Sequence, residues 1–432
     1  MPSTAQIKYL THYSEPETYR LSGFNHYFDN GLVIPVYRES AEALERILLW
    51  AEQRQNTLVI LVINRPETDD ETEWAKPFIT PPLPVQWQST DENMVCYRLV
   101  NQSSLFIIDR CQIGLPIPKK QGVGLARKIG ADILCQLIAN QQIRSPWIAN
   151  SDADAILPDD YFSTGHSTKE SPNTAALIYP YRHISQDNSD NILTTRLYEF
   201  SLHYYVSGLQ WAGSPYAYQT LGSTIAVHYQ HYAQVRGFPK RSAAEDFYLL
   251  NKLAKTGKVV SLKGPIIKLL ARESERVPFG TGPAVKALAE RDSVFDLPLY
   301  HPQTFSYLKA FLNWARTLCH EDSYNSNSPL AIPGSVLSGN FDGPLLLAVS
   351  EQMGLPSALT HCFEQGQSAE KRLQHFHTWF DAFKTLKFIH AIRDKKLASI
   401  TYRDWRKHYY PDVDRYAELT EWVSDFDQHD LA

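Results

Sequence analysis

Leu-Val-Ile-Pro-Val-Tyr-Arg-Glu (32–39) decides the fold. Its apolar part is continuous rather than alternating, the mark of a strand buried on both faces. Ser40 stands where it can cap a helix, and Leu44, Ile47, Leu48 and Ala51 then recur at helical spacing. A second apolar run, Leu58 to Ile63, ends at Asn64-Arg65-Pro66, where proline offers the ladder no N–H. Strand, helix and strand in this order predict a parallel sheet with helices packed on its faces.

The pattern continues outward from this unit. Residues 1–30 are polar and irregular and read as an N-terminal extension; 66–95 are rich in proline and acid and read as a loop or insertion. Leu105 to Ile108 is a third strand, ending at Asp109. A helix follows with Leu125, Ile129, Ile133 and Leu137 four apart on one face. Trp147 to Ala149 is a fourth strand that runs into Asn150-Ser151-Asp152-Ala153-Asp154, and Ala175 to Tyr179 is a fifth. Glu245 to Lys255 reads as a helix stopped by Gly257. Beyond about residue 300 the β signals fade, and Tyr307–Cys319, Pro344–Met353 and Ala369–Ala398 read as helices. The expected division is 1–30, an α/β domain over 31–295, and a mostly helical region over 296–432. Groups that do chemistry in open α/β sheets gather at the carboxyl ends of strands. Arg38-Glu39, Asn64, Asp109 and Asp152/Asp154 all hold that position.

Composition excludes several functions. There are 42 Lys+Arg against 47 Asp+Glu, a formal charge of −5, so no basic footprint for general nucleic-acid binding exists. No run of about 18 apolar residues is present to span a bilayer, and the first residues lack the apolar stretch of a secretory leader. Five cysteines without CxxC or zinc spacing fit a reducing compartment, so a cytoplasmic protein is expected. Aromatic residues reach 12%, which leaves open a heavy core or a stacking surface.

The sharpest local feature is Asp152-Ala153-Asp154 after a buried strand. Two carboxylates so spaced can face one hard cation together with substrate phosphates, although a solvated acidic loop has the same sequence. Its company is more specific. Ile34-Pro35-Val36-Tyr37-Arg38-Glu39, Gly122-Val123-Gly124-Leu125-Ala126-Arg127-Lys128, Gly222-Ser223-Thr224-Ile225-Ala226-Val227, Val235-Arg236-Gly237-Phe238-Pro239 and Ala244-Glu245-Asp246-Phe247 occur in order around it. Together these segments resemble the family 2 glycosyltransferases over about residues 31–280. The resemblance implies a GT-A fold: one nucleotide-diphosphate-sugar-binding α/β domain with a mostly parallel central sheet, here followed by a helical C-terminal extension.

It also implies roles. Pro35, Tyr37 and Glu39 match the segment that lines the nucleotide pocket, and Asn64 stands where relatives often carry an Asp toward the base. Arg127 matches an Arg near the nucleotide. Asp152 and Asp154 match the DxD motif, with Asp154 expected on a divalent cation, Mn²⁺ or Mg²⁺, and Asp152 nearer the ribose. Glu245 and Asp246 match the catalytic acidic pair, Asp246 as the base. A His that relatives often supply as a further metal ligand is missing from Lys268–Arg276; either Asp154, diphosphate and water hold the metal alone, or Arg272 and Arg276 replace part of its charge at the phosphates. Pro278-Phe279-Gly280-Thr281-Gly282-Pro283 reads either as a lid with glycine hinges or as an ordinary surface turn. The implied activity is inverting, metal-assisted and non-processive transfer of a sugar from a UDP- or GDP-sugar to a hydroxyl acceptor. The polar-aromatic stretch 198–232, with Trp211, Tyr216 and Tyr218, is the expected acceptor wall. A nucleotidyltransferase and a non-catalytic sugar or nucleotide binder are the alternatives. The first lacks its usual Gly-rich loop after the first strand.

Two other features read as structural. His228 and His231 lack a third zinc ligand at a defined spacing. Residues 384–407 hold eight Lys/Arg against two Asp and read as a solvated face, with contact to an anionic membrane as the alternative. Self-association through the helical region is left open.

Overall fold

The computed structural model describes residues 3–163, 173–185, 191–271, 281–326, 328–334, 342–410 and 416–430. The chain divides into two units, the first made of 1–192 and 220–283, the second of 193–219 and 284–432.

The first unit opens with α1 (Thr4–His12), β1 (Asn30–Val36), α2 (Ala41–Glu52), β2 (Thr57–Asn64) and α3 (Lys76–Ile79). Then come β3 (Val85–Gln88), β4 (Met94–Arg98), β5 (Ser104–Arg110), α4 (Gly122–Ala139), β6 (Trp147–Asn150), β7 (Ala155–Ile156), β8 (Thr174–Ile178) and β9 (Tyr181–Ile184). After α5 (Asn191–Ala212), which belongs almost wholly to the second unit, the first resumes with β10 (Ile225–His228) and α6 (Tyr229–Gln234). It closes with α7 (Glu245–Leu253), β11 (Lys258–Ser261) and β12 (Ile267–Leu270).

Nine strands form one sheet in the order β11-β8-β10-β6-β1-β2-β5-β4-β3. The central β6, β1, β2 and β5 are parallel, and of the nine only β10 and β4 run against the rest. The continuous apolar run in β1 follows from burial on both faces. Leu32, Ile34 and Val36 pack with Ala43, Leu44 and Ile47 of α2, whereas Val33 points at α4, where a Cβ on Gly130 would lie 2.4 Å from its Cγ1. A smaller sheet, β7-β12-β9, sits beside the DxD loop. The result is a mixed α/β unit with a large, mostly parallel sheet flanked by helices.

Two segments differ from the sequence reading. The stretch 66–95, expected as a loop or insertion, contains the edge strand β3 and the start of β4. The N-terminal stretch, expected as irregular, contains α1. Ser3 caps it by accepting from Gln6 N, and Gln6, Tyr9 and Leu10 bury one narrow stripe. Such a stripe in nine mostly polar residues is too short to register as periodicity.

Tyr9 anchors α1 to the helix layer. Its hydroxyl donates to Asp132 Oδ1, which also accepts from Tyr232 Oη at 2.7 Å. Lys128 Nζ donates to Asp132 Oδ2 at 2.7 Å and to Tyr9 Oη at 2.6 Å. Asp132 is fully buried, so each of these bonds offsets the desolvation of its charge. Gly237 makes the arrangement possible: its φ is +70°, and a Cβ there would lie 2.3 Å from Tyr9 Oη and 2.9 Å from Tyr232 Oη. Gly237→Ala is therefore expected to destabilise the first unit by about 1–3 kcal/mol, read as a lower midpoint in urea denaturation.

The second unit is helical. It contains α5, most of α8 (Thr281–Ala289), α9 (Pro302–His320), α10 (Gly343–Gln352), α11 (Leu355–Gln365), α12 (Ala369–Trp379) and α13 (Ala382–Lys395). A short β13 (Pro298–Leu299) pairs with β14 (Ile400–Thr401), followed by α14 (Tyr402–His408) and α15 (Thr420–Asp430). Helix α9 runs through the middle, packing against α10 to α13. Phe200 and Tyr204 of α5 meet Phe305, Tyr402, Trp405, Tyr416 and Phe426 in an edge-to-face and stacked cluster. The unit therefore begins at 284 rather than 296 and also claims 193–219, a stretch placed in the α/β domain on sequence. The reason is that α5's apolar face is completed by aromatics lying some two hundred residues downstream, beyond what local periodicity registers.

Candidate functional site

Strand β6 delivers the DxD loop. Asn150 and Ser151 are fully buried, and Ser151 N donates to Val33 O at 2.9 Å, extending the pairing with β1 to the sheet's carboxyl edge. The chain turns at once, with Ala155 N donating to Asp152 O, and enters β7. Asp152 and Asp154 are left half-buried.

Helix α4 supplies the group that organises this loop. Arg127 is 3% exposed and makes three contacts. Nη2 donates to Asp152 Oδ1 at 2.6 Å, Nη1 to Ser151 O at 3.2 Å and Nε to Glu245 Oε1 at 3.0 Å. One guanidinium thus joins residues distant in sequence at 127, 151–152 and 245, using the planar fork that suits arginine to paired acceptors. Burial works against its charge, but Asp152, Glu245 and Asp246 outweigh burial and hold it protonated above its ordinary range.

The acidic pair opens α7. Ala244, the residue before it, has φ +57°, a strained left-handed conformation for alanine that turns the chain sharply into the helix. Glu245 is buried against Arg127. Asp246 is half-buried, and its Oδ1 accepts from Phe247 N at 2.7 Å. Its carboxyl is pushed up to about 7, by desolvation first and by the Glu245 charge second. The backbone bonds from Phe247 and Gly222 and the Arg127 charge act the other way. Gly222 packs against the same centre: a Cβ there would lie 2.5 Å from Arg127 Nη2. The Gly-Ser-Thr segment, Arg127 and the acidic pair are thus one packed assembly.

The expected nucleotide segment lies along neighbouring strand ends. Pro35 sits in β1 opposite Val62, and Glu39 is buried just beyond β1. Asn64 is buried at the end of β2. With its amide turned to donate, Nδ2 reaches Val62 O at 3.2 Å and Val36 O at 3.3 Å, which ties β1 to β2. Tyr37 and Arg38 turn to Asp69 in the loop after β2. Tyr37 Oη donates to Asp69 Oδ2 at 2.8 Å, and Arg38 makes a bidentate pair with the same carboxylate at 2.9 Å on each arm. Those bonds from Arg38 hold the Asp69 carboxyl below its ordinary range. Arg38 itself has φ +50°. Asp69 lies in the stretch read as an insertion, and only its position three residues after a strand-ending Asn-Arg-Pro could have signalled it.

Among the described residues, no group of three His, Cys, Asp or Glu side chains is arranged to hold a metal. Asp152 pairs with Arg127, and two half-buried carboxylates in one loop fit a cation that shares its coordination with a ligand's phosphates rather than one caged by protein. Strand β12 does return to this point: Leu270 N donates to Asp154 O at 3.3 Å. It brings Leu270 and Ala271 there rather than a histidine. Arg272, Arg276 and the expected hinge up to Gly280 lie outside the described residues. His231 Nδ1 bonds Thr256 Oγ1 at 2.9 Å, and His228 stacks edge-on with Trp147; burial pulls the His228 imidazole down to about 4. Both do structural work.

The expected acceptor wall is placed elsewhere. Trp211, Tyr216 and Tyr218 belong to the second unit, where Tyr216 and Tyr218 are buried and Tyr216 Oη donates to His377 O. Trp211 is half-buried, with the Lys309 ammonium 4.0 Å from its ring centroid. Buried rings have no face left for a sugar, so Tyr216 and Tyr218 are core residues.

No family model matches the chain, and no curated protein matches it. Among solved structures, it is similar to Staphylococcus aureus TarS 1-349 in complex with UDP-GlcNAc. That match has 11% identity and a TM-score of 0.35 and covers 82% of this chain and 90% of that one. A second structure of TarS 1-349 has 11% identity, a TM-score of 0.32 and the same coverage. No helix among the described residues is long and apolar enough to cross a membrane, and all five cysteines are free and buried.

Two outcomes follow from the Arg127 centre. Arg127→Ala leaves Glu245 and Asp152 facing each other without a cation and should cost about 3–5 kcal/mol in urea denaturation, with Arg127→Lys recovering part of the loss. The second concerns pH. The folded pKa of Asp246 lies above the ordinary carboxyl value, so the native state holds a proton that the unfolded chain releases. The stability this contributes is present below about pH 4 and is lost as pH rises through about 7. Thermal melts of Asp246→Asn should therefore fall off less than those of the native sequence between pH 4 and 8.

Proposed function

We propose that the first unit is a glycosyltransferase of the GT-A type that takes its sugar from a nucleotide diphosphate. The observation that carries this reading is the Arg127 tether. It draws the loop of Asp152 and Asp154 and the pair Glu245-Asp246 into one centre at the carboxyl edge of a mostly parallel sheet, where open α/β folds bind ligands. Three of the segments that resemble family 2 glycosyltransferases, those of Arg127, Gly222 and Glu245-Asp246, meet the Asp152 loop at this centre.

In this reading the nucleotide lies along the ends of β1 and β2, near Pro35, Tyr37, Glu39 and Asn64, with its diphosphate toward Asp152 and Asp154. A divalent cation, Mn²⁺ or Mg²⁺, would be held by Asp154 and the phosphates, and would supply charge stabilisation to the departing diphosphate. Glu245 fixes Arg127, and Arg127 fixes Asp152. Asp246 is the base. It accepts the proton of an acceptor hydroxyl as that oxygen attacks the anomeric carbon in one inverting displacement. A carboxyl near 7 suits that task, because it ionises close to neutral pH while staying basic enough to take a proton. Transfer is non-processive. The acceptor is a hydroxyl compound that binds without Tyr216 and Tyr218.

Asp246→Asn tests the assignment. Transfer from a panel of UDP- and GDP-sugars, assayed with Mn²⁺ or Mg²⁺, should fall by about 10²–10⁴-fold while donor affinity is kept. The rate of the native sequence should rise with pH through about 7. Turnover in the variant close to the native rate would sink the role of Asp246, and absence of both transfer and donor hydrolysis across the panel would leave a binding protein.

A further inference from the structure

Three cations without a counter-charge stand together on the first unit. Among the described residues Arg236, Arg241 and Lys252 form no ion pair, and all three are exposed. The Arg236 guanidinium rests 4.4 Å from the Tyr13 ring centroid and that of Arg241 4.1 Å from Tyr248. They sense one another: the Lys252 ammonium is held below its ordinary range, first by partial burial and then by Arg236, Arg241 and Lys255. Repulsion of this kind raises the energy of the empty surface and is relieved when an anion binds.

The cluster borders a cavity of about 500 Å³ between the end of α1 and the segment after α6. Lys128, Arg236 and Lys240 line it, with His12, Tyr13 and Phe238. Its one lining carboxylate, Glu15, is taken up by Lys240 at 2.7 Å and Lys128 at 3.7 Å. Three cations against one anion leave 3 − 1 = +2 on the wall, or +1 when buried Asp132 beneath Lys128 is counted. Arg236 is the cation with nothing to neutralise it, and it is held in place. Its own φ is +66°, and it precedes Gly237, which is wedged against Tyr9 and Tyr232. A guanidinium laid over the Tyr13 ring beside a lysine ammonium suits the oxygens of a phosphate.

We propose that this cavity binds a phosphate-bearing anion, with Arg236 and Lys240 as anchors and Arg241 and Lys252 as the track for further phosphates. The site is separate from the Arg127 centre. Arg127 and Lys128 are successive residues of α4, so their side chains diverge by about 100°; one enters the Asp152–Glu245 centre and the other the cavity wall. The assignment holds whether or not the first unit transfers a sugar. A soluble phosphate ester and a phospholipid headgroup share the required chemistry.

Calorimetric titration of the full chain with inorganic tripolyphosphate at constant ionic strength tests the site. Saturable binding is expected, weakened about tenfold or more in Arg236→Gln/Lys240→Gln and kept in Arg236→Lys/Lys240→Arg. Both variants change exposed side chains, and matching circular dichroism melts confirm their folding. Sedimentation with phosphatidylcholine vesicles containing phosphatidylglycerol separates the sources. Capture that tripolyphosphate displaces identifies a headgroup, and tripolyphosphate binding without capture identifies a soluble ester. Equal affinity in the native chain and the Gln variant, or no saturable binding at all, overturns the proposal.

Discussion

Everything at the sheet's carboxyl edge depends on one buried guanidinium. Arg127 is fixed on α4, which packs on the sheet, while its three acceptors lie where regular structure ends or begins, just past β6 and at the first residue of α7. Asp152 and Ser151 belong to a turn, and Glu245 to the first residue of a helix entered through a strained alanine. Without the shared cation, two carboxylates and a carbonyl would face one another in a partly dehydrated space, which favours separation of the loop from α7. The ion pairs therefore act less as a source of net stability than as a device that makes one arrangement far better than its alternatives. Asp246 shares this environment. Burial raises its carboxyl first, and the neighbouring Glu245 charge and the Arg127 field then act on it in opposite directions.

A second polar assembly lies on the far side of the same helix. Lys128 and Asp132, one turn apart, take up Tyr9 and Tyr232 and so secure α1 and α6 to α4. Burial keeps both phenols protonated well above their ordinary range, and they can only donate to Asp132. Helix α4 is thus polar at both ends of a short arc, with its apolar face against β1 and β2. A helix buried on most sides carries charge only where each charge is matched.

Much of the first unit was legible in sequence because its strands are short apolar runs and its helices are periodic. The order of β1, α2, β2, β5, α4 and β6, and the turn from β6 into Asp152-Ala153-Asp154, all follow from local pattern. What local pattern could not supply was partnership across distance. Nothing near Arg127 announces that it meets Glu245, 118 positions away, and nothing near Asp69 announces that Arg38 folds onto it. The same limit explains the aromatic stretch from Tyr198 to Tyr218. Its spacing marked it as rich in rings. Whether rings face solvent or each other is decided by Phe305, Tyr402, Trp405 and Phe426, all far downstream. The N-terminal helix escaped for the opposite reason: its signal is local but only three residues wide.

The discontinuous make-up of the second unit has a consequence for how the chain comes into being. Helix α5 emerges from the ribosome before the final strands of the first unit, yet of the rings that cover Phe200 and Tyr204 only Phe305 comes early, and Tyr402, Trp405, Tyr416 and Phe426 come about a hundred residues after it. The sheet, by contrast, holds all its strands once residue 270 has appeared. For the whole interval of synthesis in between, a twenty-two-residue aromatic helix stays tethered at both ends to a nearly complete α/β body and has no finished core to enter. Vectorial synthesis thus sets an order on this protein that its native contacts do not, and leaves α5 waiting for most of its core while the chain grows.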